Sequence, residues 1–90
     1  MVVYKIVYTK DSIKDIEKLK GANLNKKVLA LIEIIKNNPF QTSPPYEKLV
    51  GDLQGLYSRR INIKHRLVYQ VFESVQTVKI ISMWTHYEKI

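Results

Sequence analysis

The start of the chain alternates in hydrophobicity and then changes to helical spacing. Val2 to Tyr8 alternates between two faces and is rich in β-branched and aromatic side chains, which predicts a strand. The helix predicted next ends near Gly21, a residue that suits the C-terminal end of a helix. Three polar residues are candidates for its N-cap: Thr9, Asp11 and Ser12. Its apolar stripe consists of Ile13, Ile16 and Leu19.

A second helix is predicted by a longer stripe at positions i, i+4 and i+7. Asn23 or Asn25 can cap it, and Asn37-Asn38-Pro39 ends it because proline cannot continue a helix. The stripe consists of Leu24, Val28, Leu31, Ile32 and Ile35. Since only a short turn separates the two helices, we expect them to form an antiparallel hairpin.

The rest of the chain predicts a loop and then three strands. Residues 38–55 contain all three prolines and two of the three glycines, which is typical of a loop with little regular structure. Strands are predicted at about residues 56–63, 65–72 and 77–84, and the short turns between them favour antiparallel pairing. The last strand is apolar on both faces, which indicates a central strand buried on both sides. The predicted fold class is α+β in the order β-α-α-β-β-β, with a helical hairpin packed on a small antiparallel sheet.

The size and composition of the chain fit one compact domain. Its 90 residues are too few for two domains, so we assign residues 1–90 to one, and a hydrophobic content of 46% supports a packed core. Without cysteine, disulfides and thiolate metal sites are excluded, which is consistent with a reducing cytoplasm. No stretch approaches the roughly 20 apolar residues of a membrane-spanning helix, and the first residues lack the pattern of a signal peptide. We therefore expect a cytoplasmic protein without a membrane segment.

The distribution of basic residues narrows the choice of partners. Fifteen basic and eight acidic residues give a net charge of +7, which favours anionic partners, although it also aids solubility. Twelve basic residues are lysines spread along the chain, whereas Arg59, Arg60 and Arg66 lie within eight residues of one another. No acid occurs between Asp52 and Glu73. Because the guanidinium group is a planar fork that matches phosphate, this stretch is a candidate anion site.

Two side chains are candidates for acid–base chemistry. His86 follows the last predicted strand, where a rigid sheet presents side chains to solvent. Glu47 lies in the proline-rich loop, whose prolines limit how far the loop can move. The other histidine, His65, lies in a tight turn, and we interpret it as a structural residue that positions its neighbour. The chain thus offers one imidazole and one carboxylate for proton transfer.

A carboxylate, a histidine and an arginine are the groups needed to cleave RNA by internal transfer. A base takes the proton from the ribose 2′-OH, a cation binds the charge on the phosphate oxygens, and an acid protonates the departing 5′-oxygen. Arg66 is the candidate cation, since a charge on a strand of a small sheet is costly unless it is paired or lies at an active surface. Arg59 and Arg60 point to opposite faces of their strand, so only one of them can line the same surface as Arg66, and the alternation does not choose between them. No metal or other cofactor is indicated, because two histidines without cysteine make a poor zinc site.

Most of the six tyrosines fit core or half-buried sheet positions. Tyr57 and Tyr87 are the candidates for stacking on a nucleobase, and Tyr87 is the better of the two because it neighbours His86.

The candidate residues lie in a characteristic order along the chain. Glu47-Lys48-Leu49 is followed by Ser58-Arg59-Arg60-Ile61, then by His65-Arg66-Leu67-Val68-Tyr69, and finally by His86-Tyr87. This order, together with the Asn38-Pro39-Phe40 end of the second helix, resembles the YoeB (Txe) branch of the RelE toxin superfamily. The resemblance is collinear over nearly the whole chain. Many relatives end on His-Tyr, whereas Glu88, Lys89 and Ile90 follow here, so that any role of a terminal carboxylate on the tyrosine would be lost or moved.

The resemblance implies a messenger-RNA interferase that acts on the translating ribosome, with helices packed against an antiparallel sheet. It implies a general base at Glu47, a phosphate-stabilising cation at Arg66, a general acid at His86 and a supporting role for Tyr87. The basic residues near these positions are the predicted RNA contacts: Lys48, Arg59, Arg60 and Lys64. The implied partners are messenger RNA on the ribosome, a cognate antitoxin of the YefM or Axe type, and a second copy of the chain in a homodimer.

Two other functions are alternatives to the ribonuclease. A non-enzymatic domain that binds RNA or the ribosome would also explain the charge and the arginines. Such a domain does not need Glu47, since a carboxylate beside a phosphate weakens simple binding. A toxin of the same fold aimed at a protein such as gyrase needs no acid–base pair, so the sequence favours the ribonuclease over both.

Overall fold

The computed structural model describes residues 3–84 of the chain, which form two helices packed on a five-stranded sheet. The helices are α1 (Lys10–Gly21) and α2 (Asn25–Asn37). The strands are β1 (Lys5–Tyr8), β2 (Glu47–Lys48), β3 (Leu56–Arg60), β4 (Arg66–Phe72) and β5 (Thr77–Ser82). The predicted α+β class and the predicted helical hairpin are confirmed. Within this described part, neither helix is long and apolar enough to cross a membrane.

The sheet is mixed and has the strand order β1-β5-β4-β3-β2. Strands β2 to β5 pair antiparallel, as predicted for the last three, but β1 lies parallel to β5, with Tyr8 beside Ile80. The prediction of a wholly antiparallel sheet is therefore wrong at β1. A parallel pair needs a long crossover, and here two helices and three strands separate the partners along the chain. The local alternation of β1 carries no information about the direction of so distant a neighbour.

The loop predicted at residues 38–55 contains one short strand, β2. Glu47 pairs with Ser58, and Lys48 pairs with Tyr57, which adds β2 to the outer edge of β3. Glu47 therefore lies on the sheet and not on a free loop.

The two helices begin in different ways. Thr9 caps α1: its Oγ1 accepts a hydrogen bond from an amide of the first turn at 3.1 Å and donates one to the Ile81 carbonyl at 2.8 Å, which ties the helix to β5. Leu24 is the N-cap of α2 and makes no side-chain hydrogen bond there, so the predicted cap by Asn23 or Asn25 is wrong. Asn23 instead takes a left-handed conformation (φ 61°) in the tight turn between the helices, and Leu24 packs against the core.

The helices cover one face of the sheet, and the core lies between the helices and the sheet. Its buried side chains come from both helices, from β4 and β5 and from the strand ends: Leu19, Val28, Leu31, Ile32, Ile35, Ile61, Leu67, Tyr69, Val78, Ile80 and Met83. β5 lies between two other strands, but the prediction that both its faces are buried is wrong. Val78 and Ile80 are buried, whereas Lys79 between them is exposed.

Candidate active site

Strand register gathers four polar side chains on the face of the sheet that points away from the helices. Glu47 lies opposite Ser58 in the β2–β3 pair, and Arg60 lies opposite Arg66 in the β3–β4 pair. Because Ser58 and Arg60 are two residues apart on β3, all four side chains leave the sheet on the same side. The candidate base and the candidate phosphate-binding arginine thus leave the same face of the sheet, from two strands that are separated by β3.

These side chains line a cleft of about 670 Å³ at the end of β3. The Pro44–Pro45 segment and the turn at residues 61–63 form further parts of its wall. The charged residues of its lining are Lys27, Glu47, Arg60 and Arg66. With three cations and one carboxylate, the cleft has an excess of positive charge that favours an anionic ligand.

The turn between β3 and β4 holds Arg66 in place. The Asn62 Oδ1 atom accepts hydrogen bonds from the backbone amides of Lys64 and His65, both at 2.8 Å. Arg66 Nη1 then donates to the Asn62 carbonyl at 3.0 Å. Neither of the two ion pairs found among residues 3–84 includes Arg66. A backbone carbonyl thus orients this guanidinium group and leaves its positive charge for a ligand.

Arg59 takes no part in the cleft, and the prediction that it contacts RNA is wrong. Its side chain is only 1% exposed and points to the helix-covered face. The guanidinium group donates four hydrogen bonds of 2.6 to 3.1 Å, to Tyr69 Oη and to the carbonyl oxygens of Pro39, Gln41 and Pro44. These bonds fasten the loop that precedes β2 to the sheet. Of the two arginines that the alternation left open, Arg60 is the one that lines the cleft.

An aromatic cluster surrounds the buried guanidinium group. The Arg59 Cζ atom lies 5.2 Å from the ring centroid of Tyr46. The Tyr57 ring stacks on Tyr69 at 5.7 Å between centroids and also meets Phe40 and Tyr46. Burial raises the pKa of the Tyr69 hydroxyl, and the charge of Arg59 opposes this rise. These contacts hold the half-buried Tyr57 ring in the cluster, and its stacking on a nucleobase stays a hypothesis.

The other predicted site residues lie elsewhere. Lys48 and Lys64 are exposed but do not line the cleft, and Lys48 leaves β2 on the side opposite Glu47. The structure therefore does not bring these two lysines to the site. His86 and Tyr87 lie outside the described residues.

The end of β5 is held from two sides. The His65 ring stacks on Trp84 with 4.0 Å between ring centroids, and its Nδ1 atom hydrogen bonds to the Trp84 carbonyl. The Met83 amide donates to the buried carboxylate of Asp15 at 3.0 Å. His65 thus makes packing and backbone contacts, in agreement with its interpretation as a structural residue.

Lys27 is the one charged residue of the cleft lining that the sequence does not predict as a site residue. It lies three residues after Leu24 and four before Leu31, so that helical spacing places it at the margin of the buried stripe of α2. This spacing is the only feature of the sequence that indicates Lys27. It does not show which part of the sheet lies next to the edge of the buried stripe of α2.

The geometry of the cleft permits proton transfer next to a bound anion. A carboxylate can accept a proton from a hydroxyl group, while two guanidinium groups stabilise negative charge on a neighbouring phosphate. Within residues 3–84, no group of three or more His, Asp or Glu side chains is arranged to hold a metal ion.

Comparison with known proteins gives a family match over most of the chain. Residues 8–87 match the model of a family described as YoeB-like toxin of bacterial type II toxin-antitoxin system. The chain is 39% identical over 66 residues to Toxin YoeB of Synechocystis sp., which covers 73% of this chain and 74% of that protein. The matched range of the family model includes Glu47, Arg60 and Arg66.

Solved structures share the fold as well as the sequence. A YoeB/ParE toxin from Agrobacterium tumefaciens has a TM-score of 0.83 and 38% identity, covering 92% of this chain and 99% of that one. YoeB from Staphylococcus aureus is similar in two structures. Its dimer has a TM-score of 0.79 and 32% identity, covering 96% of this chain and 100% of that one. Its heterotetrameric complex with YefM has a TM-score of 0.78 and 33% identity, covering 93% and 98%.

Proposed function

The chain belongs to the family of YoeB-like toxins of bacterial type II toxin–antitoxin systems, and on this premise we propose that it is an endoribonuclease that cleaves messenger RNA on the translating ribosome. Cleavage of the message stops translation, which is the toxic effect. The proposal is supported by one observation above all: the single carboxylate of the cleft shares one face of the sheet and one cleft with Arg60 and Arg66.

Each group has one step in the proposed reaction. Glu47 accepts the proton of a ribose 2′-OH, and the 2′-oxygen then attacks the adjacent phosphorus atom. Arg66, with Arg60 beside it, binds the negative charge that grows on the phosphate oxygens. The bond from phosphorus to the 5′-oxygen breaks, and His86 donates a proton to that oxygen, with Tyr87 in support. The products are a 2′,3′-cyclic phosphate and a 5′-hydroxyl end, and no metal takes part.

The fixed position of Glu47 favours catalysis over simple binding. A carboxylate on a surface that receives phosphate repels the ligand, which a pure RNA-binding domain would avoid. Here β2 fastens Glu47 to the sheet through its pairing with β3, and the loop before it is tied down by the four hydrogen bonds of Arg59. A general base needs such a held position, because proton transfer demands a short and directed contact.

The proposed partners follow from the family and from the charge of the chain. A cognate antitoxin of the YefM type would be acidic or amphipathic, since such a segment is attracted to a surface with a net charge of +7. We also propose a homodimer, by analogy with the dimer of the Staphylococcus aureus relative.

Mapping of new RNA ends on a translated message distinguishes a ribonuclease from a domain that only binds RNA or the ribosome. The parent should produce new 5′-hydroxyl ends, and Glu47→Gln should lose about 10² to 10⁴ in single-turnover rate while ribosome affinity is kept. His86→Gln should lose activity in the same way. Glu73→Gln, which removes the same charge from an exposed turn outside the cleft, is the matched control and should cut like the parent. Translational arrest by the parent without any new RNA ends would exclude the enzyme and establish the binder.

A further inference from the structure

Lys27 is the one cation of the cleft that comes from a helix. The residues three and four positions before and after it in the chain are not acidic: Asn23, Leu24, Ala30 and Leu31. Neither of the two ion pairs found among residues 3–84 includes Lys27. Its ammonium group is therefore not committed to a carboxylate of the described part of the chain.

The place of Lys27 on the helix is electrostatically unfavourable for the fold. It lies in the first turn of α2, which contains no acidic residue. Cations are disfavoured at this end of a helix because the aligned peptide dipoles make it positive. Helix stability thus gives no reason for this lysine, whereas an anion in the adjoining cleft does.

The cleft is larger than one phosphate group requires. Its volume of about 670 Å³ extends from Glu47 and Arg66 on the sheet to Lys27 on the helix. Ile63 of the turn also lines the cleft and is 83% exposed, which offers an apolar surface to a ribose or a base. The cleft therefore has room for more than the reacting phosphate.

We infer that Lys27 binds a second phosphate of the RNA strand, adjacent to the phosphate at Arg66, so that the strand runs from Glu47 across the turn at residues 61–63 to the first turn of α2. This inference rests on the proposed function in that the ligand of the cleft is RNA. Arginine suits the site of the reacting phosphate, and lysine suits the site of the second phosphate. The guanidinium fork fixes the orientation of the reacting phosphate, and a lysine on a flexible stem follows a neighbour whose position is less constrained.

Binding of 2′-O-methyl RNA oligonucleotides tests the inference without cleavage, because the attacking hydroxyl is blocked. The dissociation constant is measured over a range of salt concentrations for the parent, Lys27→Ala and Lys26→Ala. Lys26 is the matched control, since it has the same charge, is the preceding residue of α2 and does not line the cleft. For an oligonucleotide of several residues, Lys27→Ala should make the slope of log Kd against log salt shallower by roughly 0.7, the value for one phosphate of a single strand. Lys26→Ala should leave the slope near that of the parent.

Binding of a dinucleotide with a single phosphate distinguishes a direct contact between Lys27 and a second phosphate from a general effect of the protein's positive charge. That phosphate occupies the place at Arg66, so Lys27→Ala should not change the salt slope of its binding. An equal change for Lys26→Ala and Lys27→Ala, an equal change with the dinucleotide, or no binding of the longer oligonucleotide by the parent would overturn the inference. Since no RNA is cut in these titrations, a parent that binds as expected but never cleaves a translated message would refute the proposed function and leave the role of Lys27 standing.

Discussion

Arg60 and Arg66 face each other directly across β3 and β4, as the last pair of that ladder. Like charges in this relationship destabilise a sheet by up to about 1 kcal/mol. The described residues supply neither arginine with an ion-pair partner. A neutral β-branched residue at either position would relieve the repulsion, so the pair is explained by an anionic ligand and not by the needs of the fold.

Replacement of Arg60 should therefore separate stability from activity. Arg60→Thr removes the repulsion and should raise the free energy of unfolding by about 0.2–1 kcal/mol, measured by urea denaturation at low salt. The same variant should cleave a translated message more slowly, because one of the two cations at the phosphate is lost. The gain in stability should shrink at high salt, where exposed charges are screened. A variant less stable than the parent would contradict the repulsion.

Arg59 should behave in the opposite way to its neighbour. Arg59→Lys keeps the charge, but an ammonium group cannot serve the Tyr69 hydroxyl and three separate carbonyl groups at once. Several buried polar groups are left unsatisfied, and we expect a loss of roughly 3 kcal/mol or more in the free energy of unfolding. Arg60→Lys is the control and should change it by less than about 0.5 kcal/mol, as is usual for exposed positions. Equal effects of the two substitutions would show that the buried network does not hold the loop.

The contrast between Arg59 and Arg60 shows where the sequence stops being informative. Strand alternation correctly predicts that the two side chains point to opposite faces, because that is a property of the extended backbone. It does not tell which face the helices cover, since this depends on contacts between residues far apart in the chain. Arg59 meets carbonyl groups 15 to 20 residues earlier in the sequence, and no local pattern records them.

The same limit explains the other differences from the predicted fold. The helices follow from periodicity and turn residues, which are local, and their existence is predicted well. The parallel pairing of β1 with β5 and the position of Lys27 at the cleft both depend on how the helical hairpin crosses the sheet. Glu47 and Arg66 were predicted as site residues, and strand register places them on one face, but neither the register nor β2 could be predicted from the loop composition.

Alkaline pH should weaken the fold through Tyr69. Burial raises the pKa of its hydroxyl above the ordinary value of 10.0, so the folded state holds this proton more tightly than the unfolded state. The resulting stability is fully present below about pH 10 and is lost as the pH rises through the raised value. Tyr69→Phe lacks the hydrogen bonds to Pro39 and Arg59 and should be less stable than the parent at neutral pH. The difference between the two proteins should narrow above pH 10, and a constant difference in urea titrations would refute the assignment.

The ribosome should be required for efficient cleavage. The cleft contains a single carboxylate and three cations in its described part. With so few groups, we expect that the cleft alone does not hold free RNA in an in-line geometry. Positioning of reacting groups can contribute several kcal/mol, roughly 7–11 in the best cases, and the decoding site can supply it. We expect little cleavage of naked RNA and site-specific cleavage during translation. Comparison of single-turnover rates on the same message with and without ribosomes checks this, and equal rates would exclude the requirement.

The two histidines should have different effects on the pH profile of cleavage. If Glu47 is the base and His86 the acid, the rate is bell-shaped: it falls at low pH as the carboxylate is protonated and at high pH as the imidazole loses its proton. His86→Gln should therefore remove the high-pH limb, and Glu47→Gln should remove the low-pH limb.

His65 is engaged with the Trp84 ring and carbonyl and does not line the cleft. His65→Gln keeps a donor for that carbonyl but loses the stacking, so it should lower stability while both limbs stay at the pH of the parent. Single-turnover rates on programmed ribosomes across the pH range decide between the two histidines. A high-pH limb that vanishes in His65→Gln and persists in His86→Gln would make His65 the acid and the assignment of His86 wrong.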